Sequence, residues 1–153
     1  MGKLARQNNL KHLRLSYNKI TDISFLKGLT NLELLDARVN KIEDITPVAK
    51  LTDLKALSIG GGNKITKESV STLTKLTNLE TLYLTDGGIE DISFLKELSR
   101  LKVLALIGNK ISNIEVLLKL NKLERVYLWD NPLNSDAEEV IEKLRDRGVE
   151  VKY

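Results

Sequence analysis

The apolar skeleton of this chain recurs at a fixed interval, and no other feature restricts its fold as tightly. Leucines open successive copies at Leu10, Leu32, Leu54, Leu79, Leu101 and Leu123, which are spaced 22, 22, 25, 22 and 22 residues apart. The first copy runs from Leu10 to Thr30. It carries aliphatic residues at Leu10, Leu13, Leu15, Ile20, Ile23, Leu26 and Leu29, with Asn18 set among them. Neither a strand period of about 2 nor a helical period of about 3.6 accounts for all of these positions. A unit that combines a short strand with a return segment does account for them. Such a unit cannot bury its leucines alone, so stacked neighbours have to supply the core.

The copies follow the template L-x-x-L-x-L-x-x-N-x-L, four of them in full. Its apolar triplets are Leu10/Leu13/Leu15, Leu32/Leu35/Ala37, Leu54/Leu57/Ile59, Leu79/Leu82/Leu84, Leu101/Leu104/Leu106 and Leu123/Val126/Leu128. At this period the template is that of leucine-rich repeats. The chain resembles that family, and within it the 22-residue type of the bacterial internalins, through DISFLKGL at 22–29, DITPVAKL at 44–51 and DISFLKEL at 91–98. The resemblance implies an α/β fold, a right-handed leucine-rich repeat solenoid. A parallel sheet would line its concave side, and short helical or 3-10 segments its convex side. It also implies a bacterial origin and a protein target.

The organisation read along the chain has three parts. Residues 1–9 are expected to be the remnant of a preceding repeat, 10–133 hold six repeats, and 134–153 form a helix and strand cap. Within each repeat the x-L-x-L-x piece alternates with period two, so its leucines point inward and the residues between them outward. Asn18, Asn40, Asn63, Asn109 and Asn131 fall where the chain leaves the sheet. A carboxamide at that place can satisfy backbone groups of adjacent turns.

Two copies depart from the template. In the third, Asn63 arrives one residue late after Gly60, Gly61 and Gly62. The stretch from Thr66 is then expected to take a fuller helical turn, with the glycines supplying positive φ. In the fourth, Gly87 stands in the place of the asparagine, so one rung is expected to be lost. At the carboxyl end, Ser135 and Glu138 read as a capping box for a helix with an apolar stripe of Ala137, Val140, Ile141 and Leu144. Gly148 suits its C-cap, and VEVKY suits a last strand.

The concave surface should consist of the residues beside the strand leucines, four per repeat. None of these positions is Lys or Glu, although the chain has 17 Lys and 12 Glu. Interfaces are depleted in both, and strand preference contributes to the deficit as well. Tyr17, Tyr83, Tyr127 and Trp129 fall on this face, whereas Phe25 and Phe94 read as core on the opposite side. Strands about 4.8 Å apart would gather Tyr83, Val103, Ile107, Arg125, Tyr127 and Trp129 into one patch. His12, Arg14, Asp36, Arg38, Asp86 and Asp130 complete the set of candidate partner-binding residues. Just outside the face, Lys11, Glu33, Lys55, Glu80, Lys102 and Glu124 alternate in sign and read as a surface ladder rather than a site.

Other function classes fit poorly. The net charge of +3 is small, and Arg14, Arg38 and Arg125 are offset by Asp36, Asp86 and Asp130, so no nucleic acid is expected as a partner. His12 is the only histidine and cysteine is absent, which leaves no catalytic triad, no Cys-His pair and no usual zinc site. IGGGNKIT at 59–66 lacks the phosphate-loop spacing. Asp86 and Asp130 lie two strands apart with no third oxygen ligand, so no metal is expected, nor any cofactor. MGKLARQNN has no signal-peptide core, and no run reaches the ~18 apolar residues of a membrane span. These observations leave the localisation undetermined, and no membrane partner is expected. The leading expectation is a non-catalytic module that binds a protein on its concave face. The alternative is a scaffold, fragment or engineered solenoid without a specific ligand, which forms a homodimer through an uncapped amino-terminal edge.

Overall fold

The computed structural model describes residues 9–153. The reading of the amino-terminal segment as a repeat remnant with an open, self-associating edge falls on residues 1–8, outside the described residues. Seven short strands form one parallel sheet in sequence order: β1 His12–Arg14, β2 Leu34–Asp36, β3 Ala56–Ser58, β4 Thr81–Tyr83, β5 Val103–Ala105, β6 Arg125–Tyr127 and β7 Glu150–Lys152. The register repeats without slip, Leu13 facing Leu35, then Leu57, Leu82, Leu104, Val126 and Val151. That row points into the solenoid and is buried throughout. A one-residue slip anywhere would turn these leucines out to solvent, which is why the register holds through the long third copy.

The return segments on the convex side are 3-10 helices at Ser24–Gly28, Thr46–Lys50, Ser93–Glu97 and Glu115–Lys119. A side chain two residues earlier starts each of them. The Ser24, Thr46 and Ser93 N–H groups donate to Asp22, Asp44 and Asp91 at 2.7, 2.8 and 2.8 Å, and Glu115 N–H donates to Asn113 at 2.8 Å. These bonds hold the Asp22 and Asp91 carboxyls below the usual carboxylate range. The aspartates that open the D-I-[ST] segments are therefore turn-formers. In the third copy the inserted residues form α1, Lys67–Val70, which runs into a 3-10 helix at Ser71–Lys75. A reciprocal capping box between Thr66 and Ser69 starts it.

The asparagines form the expected ladder. Asn40 donates to Leu15 O at 2.9 Å and Ala37 O at 3.0 Å and accepts from Ile20 N–H at 3.0 Å, which ties two turns together. Asn63, Asn109 and Asn131 repeat the arrangement. Gly87 breaks it, and Asn109 there accepts from both Gly87 N–H and Ile89 N–H at 3.0 Å. The glycines divide their work. Gly61, Gly62 and Gly88 take positive φ, whereas Gly60 does not. Gly60 is needed because β4 passes so close that a Cβ would lie 2.0 Å from Thr85 O.

Some details correct the sequence reading. The closing helix α2, Ala137–Asp146, buries the expected stripe, but it starts from Asp136 without a side-chain cap. Ser135 Oγ instead lies against Asp136 at 3.3 Å, and Glu138 receives the Tyr153 hydroxyl at 3.1 Å, so the capping box does not form. The carboxyl end of α2 behaves as read. Gly148, at φ 83, donates to Arg145 O, and Val149 donates to Leu144 O, a Schellman closure that delivers the chain into β7. Phe94 is buried, but Phe25 is only half-buried, because no described residue covers its far side.

The charge ladder is broken into clusters. Glu33 holds Lys11 at 2.8 Å and Lys55 at 2.7 Å, Glu80 holds Lys102 at 2.8 Å, and Glu124 makes no ion pair among the described residues. Hydrogen bonds from the two lysines lower the Glu33 pKa from 4.5 to about 2. A carboxyl whose folded pKa is depressed contributes stability above its unfolded value and loses that contribution as the pH falls through the folded one. The part of stability due to Glu33 should thus be complete above pH 4.5 and vanish toward pH 2. Glu33→Gln is expected to flatten this segment of a urea-midpoint against pH curve. An identical slope in the variant would refute the assignment.

Candidate functional site

On the open face of the sheet the copies differ in chemistry from one another rather than repeat. On β4 to β6 the outward residues of the middle column are Tyr83, Ala105 and Tyr127, in direct cross-strand register. Ala105 is 6% exposed although it faces outward, since a tyrosine stands on either side of it. Two residues further along β6, Trp129 lies with its ring 5.7 Å from that of Tyr127, tilted by 34°. Val103 and Ile107 are half-buried beside them, and Arg125 is exposed at the other end of the same strand. The six residues of the expected patch therefore do share one stretch of the face. Trp129 is 42% exposed even with Tyr127 against it.

The remaining candidates divide. Asp36 and Arg38 are bound to one another, with Arg38 Nε donating to Oδ1 at 2.9 Å and Nη2 to Oδ2 at 2.8 Å. The guanidinium holds the Asp36 carboxyl below the usual range. Two charges matched in this way have little left for a partner, which the sequence could not indicate. His12 and Arg14 are exposed on β1, and Tyr17 is 76% exposed. Asp86 and Asp130 are exposed at the turn where the chain leaves the sheet.

That turn repeats a left-handed residue in all six copies: Tyr17, Val39, Gly61, Asp86, Gly108 and Asp130, at φ between 52 and 68. Val39 is the outlier, since a β-branched residue strains there, and it is also an exposed apolar side chain beside Tyr17. The sequence reading placed this column on the face and VEVKY in a last strand, but not the positive φ of the column's non-glycine residues. Glu150 and Lys152 extend the face by one strand and form a 3.4 Å ion pair.

The clefts lie off this face. One of about 240 Å³ opens where the asparagine rung is missing, lined by Ile65, Thr66, Lys67, Val70, Gly88, Ile89, Glu90 and Asp91. Among the described residues no group of three or more His, Cys, Asp or Glu comes together, and no helix is long and apolar enough to cross a membrane.

A family model for leucine-rich repeats, in two copies, matches residues 8–50. No curated protein matches the chain in sequence. Solved structures do. An internalin, InlF, from Listeria monocytogenes is 41% identical with a TM-score of 0.89, over 97% of this chain and 42% of that one. Internalin C2 of the same species is 38% identical with a TM-score of 0.77, over 82% of this chain and 54% of that one. A leucine-rich repeat protein of Leptospira interrogans is 28% identical with a TM-score of 0.86, over 99% of this chain and 39% of that one. The chain thus spans between 39% and 54% of the length of these relatives.

Proposed function

Because the chain belongs to the leucine-rich repeat family, in its 22-residue internalin-like form, we propose that it is a non-catalytic module whose concave sheet docks another protein. Leucine-rich repeat proteins generally mediate protein–protein contact. The proposed centre of the face is Tyr83, Val103, Ile107, Arg125, Tyr127 and Trp129. His12, Arg14 and Tyr17 form a second contact at the far end.

One observation carries the reading. A tryptophan 42% exposed, paired with a tyrosine at 5.7 Å, sits on a sheet face that already has its core on the other side. The fold gains little from the exposed part of that ring. Interfaces gain much, since Trp, Tyr and Arg are the residues on which binding energy concentrates. The size is also adequate, because four positions in each of six repeats match the ~20–30 residues per side of a standard interface.

Affinity capture from a lysate with the wild type and Trp129→Ala side by side tests this. The variant should bind the captured protein about 30-fold less tightly, corresponding to a hot spot of ~2 kcal/mol, with an unchanged urea midpoint. Unchanged affinity in both Trp129→Ala and Tyr127→Ala would remove the patch from consideration and favour a ligand-free scaffold.

A further inference from the structure

We propose that the protein partner presents a lysine or arginine side chain whose cation lies against Trp129 between the carboxylates of Asp86 and Asp130. This rests on the concave-face reading above and names the chemistry of what docks there. The hydrogen-bond register sets the geometry. Asp86 N–H donates to Ile107 O at 2.8 Å and Gly108 N–H donates to Trp129 O at 3.0 Å, so Asp86, Gly108 and Asp130 occupy three consecutive rungs beside the tryptophan.

The Asp86 side chain reaches across one of the two rungs that separate it from Asp130. Two strand spacings separate their backbones, roughly 9.6 Å. A Cβ at Gly108 would lie 2.1 Å from Asp86 Oδ1, so this carboxylate occupies the side-chain space of the next rung and leans toward Asp130. The glycine leaves room for it.

Neither carboxylate is matched by a described residue. Among the described residues, no hydrogen bond or ion pair reaches Asp86 or Asp130 side-chain oxygens, whereas the other acids of the face, Asp36 and Glu150, are paired with Arg38 and Lys152. The turn does not need the charge, because Gly61 and Gly108 make the same turn with none. Both aspartates hold positive φ, at 52° and 58°, a conformation that asparagine and glycine adopt more easily. What the pair offers is negative charge beside a partly exposed indole. An ammonium or guanidinium group is attracted by both, through Coulomb forces and through the ring quadrupole. A metal ion fits less well. It wants six or more oxygens, and the third neighbour here is an aromatic ring.

Panning a phage-displayed random-peptide library on the whole chain tests the proposal. Recovered peptides are titrated through the fluorescence of Trp129, the single tryptophan, and sorted by whether Trp129→Ala abolishes their capture. The Trp129-dependent peptides are expected to be enriched in Lys or Arg next to an apolar residue. They should bind Asp86→Asn/Asp130→Asn about tenfold or more weakly, with less salt dependence than the wild type shows. Asparagine suits both left-handed positions, so the double variant should keep its fold. Trp129-dependent peptides with no basic enrichment, or with equal affinity for the double variant, overturn this proposal alone. Peptides that are all indifferent to Trp129→Ala, or a library that yields none, overturn the concave-face reading together with it.

Discussion

Asn109→Ala is expected to lower the stability of the solenoid by about 3–5 kcal/mol, measured as the shift of the urea unfolding curve. The reason is the number of backbone groups that depend on this one side chain. Its oxygen accepts from Gly87 N–H and Ile89 N–H, both at 3.0 Å, and its nitrogen donates to Leu84 O at 2.7 Å and Leu106 O at 2.8 Å. The side chain is 5% exposed, so water does not replace those bonds readily. Each buried group left unmatched costs about 1–3 kcal/mol, with some relief from relaxation. Asn18→Ala is the control, because Asn18 is exposed and, among the described residues, its side chain bonds only within its own turn, to Leu15 O and Ser16 O. It should cost under about 1 kcal/mol. Equal losses for the two variants would show that the ladder contributes nothing across repeats.

Gly60→Ala should be comparably damaging, at about 3 kcal/mol or more, for a steric reason. The added Cβ would lie 2.0 Å from Thr85 O and 2.4 Å from Thr85 N, and neither can rotate away because both are backbone. The Gly61 N–H to Thr85 O bond, 2.7 Å, would part, and with it the contact between the third and fourth repeats. In a solenoid the stability of the whole depends on such nearest-neighbour interfaces, so the lesion should uncouple the two halves. Hydrogen exchange should then show lost protection at Ile59 and Gly61 first. Gly88→Ala gives the contrast. Its φ of 65° carries strain, but no atom lies within 4 Å of the new methyl, so ~1–2 kcal/mol is expected. A Gly88 variant that costs more than the Gly60 variant would refute this ordering.

The two glycines also mark the limits of reading the chain without its fold. GGG at 60–62 signalled a widened turn, and two of the three do take positive φ. That the first is needed for a close approach to Thr85 could not be inferred, because Thr85 is 25 residues away and only the packing of β3 against β4 brings it near. Ser135 and Glu138 likewise satisfied a local helix-start pattern. Tertiary contacts changed the outcome, since Tyr153, folded back along α2, takes up the Glu138 carboxylate.

The candidate face divides in the same way. That Tyr83, Tyr127 and Trp129 face outward follows from period-two alternation in the template, and their gathering follows from stacking at a fixed period. The sequence alone carries both. Pairing within the face is different. Asp36 is paired with Arg38, while the Asp86 and Asp130 carboxylates meet no described residue, although all four were read from sequence as equivalent surface charges. Side-chain rotamers and the space left at Gly108 decide this.

By itself, then, the repeat determined the number of turns, the strands, the buried leucine row and the asparagine ladder, because each depends on residue type at a fixed spacing. Only the tertiary structure decided which charges stay unmatched and which glycines make room for a neighbour. Those outcomes depend on distances of a few ångströms between residues far apart in the chain, and a periodic pattern does not encode them.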